Sequence, residues 1–108
     1  MKPTPAIAQQ HGFVHAAALT AIADNACGFS ALSLMPEGTD VLTTEFKLNL
    51  VAPATGDLIV ARGRVVKAGR TLSLCQAEVF AVSDGQEKLV ALMTATMMNI
   101  VGRDGISD

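Results

Sequence analysis

Two patterns of apolar and polar positions divide the chain at MPEGTD, residues 35–40. Ahead of it, HAAALTAIADNACGFSALSL (residues 15–34) is apolar almost without interruption. Alanine and leucine favour helix, and the run far exceeds a strand in length. It therefore predicts one long helix, stopped at Pro36 and Gly38. Behind it, residues 41–51 (VLTTEFKLNLV) alternate, with Leu42, Thr44, Phe46, Leu48 and Leu50 on one face and Thr43, Glu45, Lys47 and Asn49 on the other. That period of two predicts a strand. Further strands are expected over residues 57–67, 71–82 and 88–101, separated by turns at APATG, AGR and SDGQ. Residues 1–8 are expected to be irregular, because Pro3 and Pro5 lack donors and disfavour helix, and residues 102–108 to form a frayed tail.

The predicted strands are longer than the usual ~5–6 residues, and long strands in one sheet twist and curl. A helix apolar nearly all round should be covered on most sides. A curled antiparallel sheet of four strands wrapped around one long central helix satisfies both, an α+β arrangement in a single domain spanning residues 1–108.

Composition sharpens this picture. Half of the residues are hydrophobic, mean hydropathy is +0.40 and only 17% are charged. A small monomer would struggle to cover so much apolar surface, so a subunit interface is expected. Net charge is −2, no basic stripe is visible, and Trp and Tyr are absent, which argues against nucleic-acid binding. The sequence shows no secretory signal and no uninterrupted apolar run of membrane-spanning length, so a cytoplasmic protein is expected, with no membrane partner. Cys27 and Cys75 lie far apart among apolar neighbours and read as buried, reduced thiols. Two such Cys and two His offer too few ligands for a metal site, so none is expected.

One residue resists this bland reading. Asp24 is a lone carboxylate inside the most apolar segment, and Ala17, Thr20, Gly28 and Ala31 continue its helix face with small side chains. Position alone fits a structural carboxylate, hydrogen-bonded where two helices meet. That is the commoner reading of position alone; the small side chains also leave the room beside it that a reactive carboxylate needs for substrate.

The order and spacing of QQHGFVHAA, ADNACG, FKLNLVAPATGD and VKAGRTL resemble the hotdog-fold acyl-CoA thioesterases, in the branch of phenylacetic-acid-degradation-type and 4-hydroxybenzoyl-CoA enzymes. The likeness runs from residue 9 to about residue 98. It implies a hotdog fold whose first strand is missing or reduced here. It also implies hydrolysis of an acyl-CoA thioester, with coenzyme A as part of the substrate and no separate cofactor. By the same resemblance, Gln9 matches a polar amide ahead of the helix, and Ala16 matches the backbone N–H that binds the thioester oxygen. Asp24, eight residues on, matches the nucleophile or general base, and Thr43 matches an assisting strand hydroxyl. His15 matches a position that is His in the family, and Lys67, Arg70 and Thr71 lie in the turn that resembles the segment meeting coenzyme A; with Asn25, which adjoins Asp24 and could hydrogen-bond it, these are the expected substrate-binding residues. Ala16 and Ala17 stand where the family pattern has glycines.

Ala16 and Asp24 lie ~12 Å apart along one helix at ~1.5 Å per residue, too far for one thioester to touch both. A two-fold axis bringing Ala16 of one copy to Asp24 of another removes the difficulty, so a homodimer or tetramer is expected. The other reading is a non-catalytic hotdog module that holds an acyl-CoA or only dimerises.

Overall fold

The structure is a computed structural model that describes residue 2, residues 15–35 and residues 38–100. Gln9, the expected reduction of the first strand and the tail at residues 102–108 lie outside the described residues.

The alanine-rich run folds as α1 (Ala16–Leu32), preceded by His15 in an extended conformation. Its last turn tightens, with Leu34 N–H donating to Ala31 O and Met35 N–H to Leu32 O. Leu19, Ala23, Cys27 and Ala31, spaced every fourth residue, form its buried line. Cover on most sides was expected, but one sheet meets a helix along one line only. Ala17 and Ala21 are exposed and Phe29 is 72% exposed.

Four strands follow: β1 (Asp40–Leu50), β2 (Leu58–Ala68), β3 (Leu72–Ser83) and β4 (Gln86–Ile100). Every boundary falls within two residues of its predicted position. The strands form one antiparallel sheet in the order β1-β4-β3-β2, so β1 and β2 are its edges. The β3–β4 hairpin turns through Asp84 and Gly85, both at positive φ (52° and 77°). An Asp-Gly pair favours that left-handed geometry, which matches the twist of the flanking strands.

The core lies between α1 and the sheet. Cys75, Ala77, Val79 and Ala81 of β3 and Ala91, Met93, Ala95 and Met97 of β4 are buried at alternate positions, with Ile59 from β2. So many small side chains bring the helix close to the strands. The approach is tightest at Gly63 on β2. A Cβ there would collide with Ala26 O and lie 2.8 Å from Ser30 Oγ.

The structure corrects one part of the alternation read from the sequence. Thr43 pairs with Met97, yet Glu45 pairs with Thr96, so the register slips at Thr44. This β-bulge puts Val41 and Thr43 on the same face as Phe46, Leu48 and Leu50, toward α1. Leu42 turns outward opposite Met98. A one-residue insertion exchanges the faces of everything on one side of it, which simple alternation does not anticipate.

Two outcomes follow from this packing. Gly63→Ala forces Cβ against the helix backbone and should lower stability by about 1–3 kcal/mol. At Gly28 in α1 a Cβ would meet Val41 Cγ2 at an ordinary 4.0 Å. Gly28→Ala should therefore add about 0.5–1 kcal/mol through helix propensity. Urea midpoints of both variants check the opposite signs.

The cysteines behave as packing groups. Cys27 and Cys75 are both fully buried and free. Burial, then the neighbouring Cys75, then Asp24 push the Cys27 thiol up to about 12; burial raises Cys75 as well. Since the thiolate is the reactive form, neither thiol should react with an aromatic disulfide reagent at pH 8 until denaturant is added, when both should.

Candidate active site between the helix and the first strand

The bulge aims Thr43 at the helix. Its Oγ1 donates a 2.7 Å hydrogen bond to Asp24 Oδ1, and Met97 Sδ lies 3.2 Å from the same oxygen. A hydroxyl has one proton, and the carboxylate is the stronger acceptor, so the proton belongs to Asp24 and the thioether packs against it. The bond orients the carboxylate and leaves Oδ2 without a hydrogen-bond partner among the described residues.

Asp24 is half-buried and opens on a cavity of about 500 Å³ between α1 and β1. Ala17, Thr20, Ala21 and Asp24 form its helix wall, and Thr43, Thr44, Glu45 and Phe46 its strand wall. Both threonines beside Asp24's turn are held: Thr20 Oγ1 donates to Ala16 O (2.8 Å) and Thr44 Oγ1 to Thr96 O (3.1 Å). Of the small-residue face expected beside Asp24, Ala17 and Thr20 leave this space open; Gly28 is not part of the wall, and Ala31 belongs to the buried line of α1.

The helix start has the right electrostatic character. His15 makes no side-chain cap, and no acidic residue occupies the first turn. Its carbonyl accepts from Ala18 and Leu19 N–H. The N–H groups of Ala16 and Ala17 have no acceptor among the described residues, and donors at a helix start suit an anionic oxygen.

The remaining residues singled out from the sequence are distributed differently. Asn25 is exposed and faces a second groove, lined by Ile22, Ala26, Phe29 and residues 58–61 beside β2, away from Asp24. Lys67, Arg70 and Thr71 are exposed around the β2–β3 turn. Register brings that turn to the Asp24 end of the sheet: Thr43 pairs with Met97, Met97 with Ser73, and Ser73 with Ala68. Arg62 and Arg64 are engaged elsewhere. Arg62 pairs bidentately with Glu87 and sits 4.9 Å from the Phe80 ring centroid, and Arg64 donates to Gln76. No three His, Cys, Asp or Glu side chains among the described residues cluster as a metal site. Nor is any described helix long and apolar enough to cross a membrane.

Sequence reasoning missed Asn99, whose side chain holds the β2–β3 turn. The signal was present as an amide set among the apolar Met97, Met98 and Ile100 at the end of β4.

Comparison with known proteins converges on one family. Residues 11–88 match the family model described as Thioesterase superfamily. A thioesterase family protein from Silicibacter pomeroyi superposes with a TM-score of 0.91 at 47% identity, covering 94% of this chain and 75% of that one. A phenylacetic acid degradation-related protein from Ralstonia eutropha superposes at 0.79 with 29% identity, covering 90% and 70%. A Bacillus halodurans protein solved with CoA shares the fold at a TM-score of 0.86 and 21% identity, covering 93% and 68%. No curated protein matches the chain. A helix seated on a curled antiparallel sheet, with this likeness over most of its length, makes the chain a hotdog-fold member of the thioesterase superfamily.

Proposed function

We propose that the protein hydrolyses an acyl-CoA thioester to the free acid and coenzyme A. The observation that carries this reading is the Asp24 carboxylate, oriented by Thr43 Oγ1 at 2.7 Å and open to the cavity. Family membership supports thioester chemistry, and CoA in the Bacillus halodurans relative supports the substrate class. Asp24 acts in one of two ways. As general base it takes a proton from water, whose oxygen attacks the thioester carbonyl. As nucleophile it attacks directly and forms a mixed anhydride that water then opens. Either way the carbonyl oxygen becomes an oxyanion, the C–S bond breaks, and the thiolate of coenzyme A leaves and takes up a proton. Gln9, ahead of the helix, adds a side-chain amide as a donor to the thioester or an orienting group for water.

The oxyanion needs donors, and those at Ala16 lie two helical turns from Asp24 of the same chain. The donor therefore comes from a second copy. β1 is an edge strand, and Phe46 (51% exposed), Leu50 (57%) and Val51 beside it are left open. An edge unpaired among the described residues, with exposed apolar side chains, suits pairing with its own copy across a two-fold axis. Lys67, Arg70 and Thr71 then serve the phosphate end of coenzyme A, cations suiting phosphates.

Asp24→Asn removes the base or nucleophile while keeping shape, and should lower kcat by about 10²–10⁴-fold. Thr43→Val leaves the carboxylate unoriented and should cost about tenfold in kcat, on the scale of one charge-assisted hydrogen bond. Steady-state assays over short, medium, long and aromatic acyl-CoAs check both. CoA binding without turnover by the wild-type protein would overturn the reading. Label in the Asp24 side chain after a single turnover in ¹⁸O water identifies the nucleophilic role, with water opening the anhydride at the aspartyl carbonyl, because a general base gains no oxygen.

The shared site has its own test. Ala16→Pro deletes the donor, and a proline is tolerated there because Ala16 is the first helical residue and His15 is extended (ψ 145°). Ala16→Pro and Asp24→Asn should each be nearly inactive alone. Mixed and refolded together they should recover activity, since each mixed dimer contains one intact site. A site contained within one chain recovers nothing.

A further inference from the structure

Two tight hairpins join the described strands β2, β3 and β4, and they are held in different ways. At the β3–β4 turn, Asp84 and Gly85 take the left-handed conformations such loops favour. At the β2–β3 turn, Gly69 N–H donates to Leu72 O at 2.9 Å and closes a loop of only Arg70 and Thr71. Neither has positive φ. A two-residue loop without left-handed residues mismatches the strand twist, so its own sequence does not fix it. Gly69 cannot be stiffened by a side chain, because a Cβ there would strike Leu72 O.

What fixes this turn comes from β4. Asn99 Nδ2 donates to Gly69 O (3.1 Å) and to Arg70 O (2.8 Å), and Asn99 N–H donates to Thr71 O (2.7 Å). Three successive carbonyls of the loop are thus bound by one residue. Two amide protons on two carbonyls also fix which way the side chain faces, and they leave Oδ1 buried without a partner among the described residues. Burying an unpaired acceptor is costly, so this orientation persists because the two donated bonds are worth more. Asn99 lies on the Met97 side of β4, two residues beyond the sulfur that packs on Thr43, and it pairs with Val41 of β1. The turn and the Asp24 site are therefore joined through neighbouring residues of a single strand.

We propose that Asn99 is the positioning residue for coenzyme A. It clamps the β2–β3 turn so that Arg70 and Thr71 present a fixed surface to the nucleotide end of the substrate, at the same end of the sheet as Thr43. This rests on the reading of that turn as the coenzyme A contact. Asn99 touches neither substrate nor reacting atoms; it acts through Arg70 and Thr71.

The experiment compares two thioesters of one acyl group, the CoA thioester and the N-acetylcysteamine thioester, which lacks the nucleotide. Asn99→Ala should raise KM for the CoA thioester about tenfold with kcat unchanged, the pattern of a lost binding contact, and leave kcat/KM for the short thioester as in wild type. Asn99→Ser, whose hydroxyl reaches at most one of the two carbonyls, should fall between. Because Asn99 works through Arg70 and Thr71, Asn99→Ala should raise the KM of Arg70→Ala by clearly less than it raises that of the wild type, a non-additivity expected of residues acting as one unit. CoA affinity measured by calorimetry on each variant gives the same ordering without relying on turnover. Equal losses on both thioesters, a fall in kcat, or additive effects with Arg70→Ala would overturn the role of Asn99. If Arg70→Ala leaves KM and CoA affinity unchanged, the coenzyme A reading of the turn itself fails. If Arg70→Ala is impaired while Asn99→Ala and Asn99→Ser are not, only the positioning role fails.

Discussion

Everything in this molecule depends on how closely α1 lies on the sheet. A glycine at position 63 and small buried residues at Ala23, Cys27, Ala31, Ala77 and Ala95 remove the side-chain bulk that normally holds a helix away from strands. Close approach is what allows two short side chains to meet. Aspartate and threonine reach only a little way from their backbones, yet Thr43 Oγ1 and Asp24 Oδ1 are 2.7 Å apart. Had the interface been filled with leucine and phenylalanine, the same pair would be separated by the thickness of those side chains. The packing that stabilises the fold and the geometry of the candidate site are one constraint.

Most of the architecture was legible because it is written in local patterns. The unbroken apolar run of residues 15–34 could only be a helix, and the Pro- and Gly-bearing turns cut the remainder into strands at nearly the observed places. The hairpin at Asp84-Gly85 is specified by its own two residues. Asp24 was conspicuous as a lone charge in apolar surroundings, and the family likeness gave it a partner in Thr43.

What escaped the sequence depends on pairs distant along the chain. The bulge at Thr44 is a property of the β1–β4 register, with partners some fifty residues away, so plain alternation placed Thr43 on the face opposite Phe46. The clamp from Asn99 to residues 69–71 is equally non-local. Asn25 was grouped with Asp24 by adjacency, but neighbours on a helix point about 100° apart, and the structure turns Asn25 toward the groove beside β2. The three cases share a cause: composition and period describe a segment, while register and rotation describe its relation to another.

The strand order has a consequence for when the site comes into being. β1 leaves the ribosome well before β4, yet β4 is its sheet neighbour among the described residues. Until residues 91–100 are made and paired, Thr43 has nothing to hold it over the helix, and the late closure of so non-local a contact is intrinsically slow. A nascent chain can form α1 and the β2–β3 hairpin while its carboxylate still faces water. The Asp24–Thr43 pair is assembled by β4, so the candidate site takes its geometry only as the described sheet is completed.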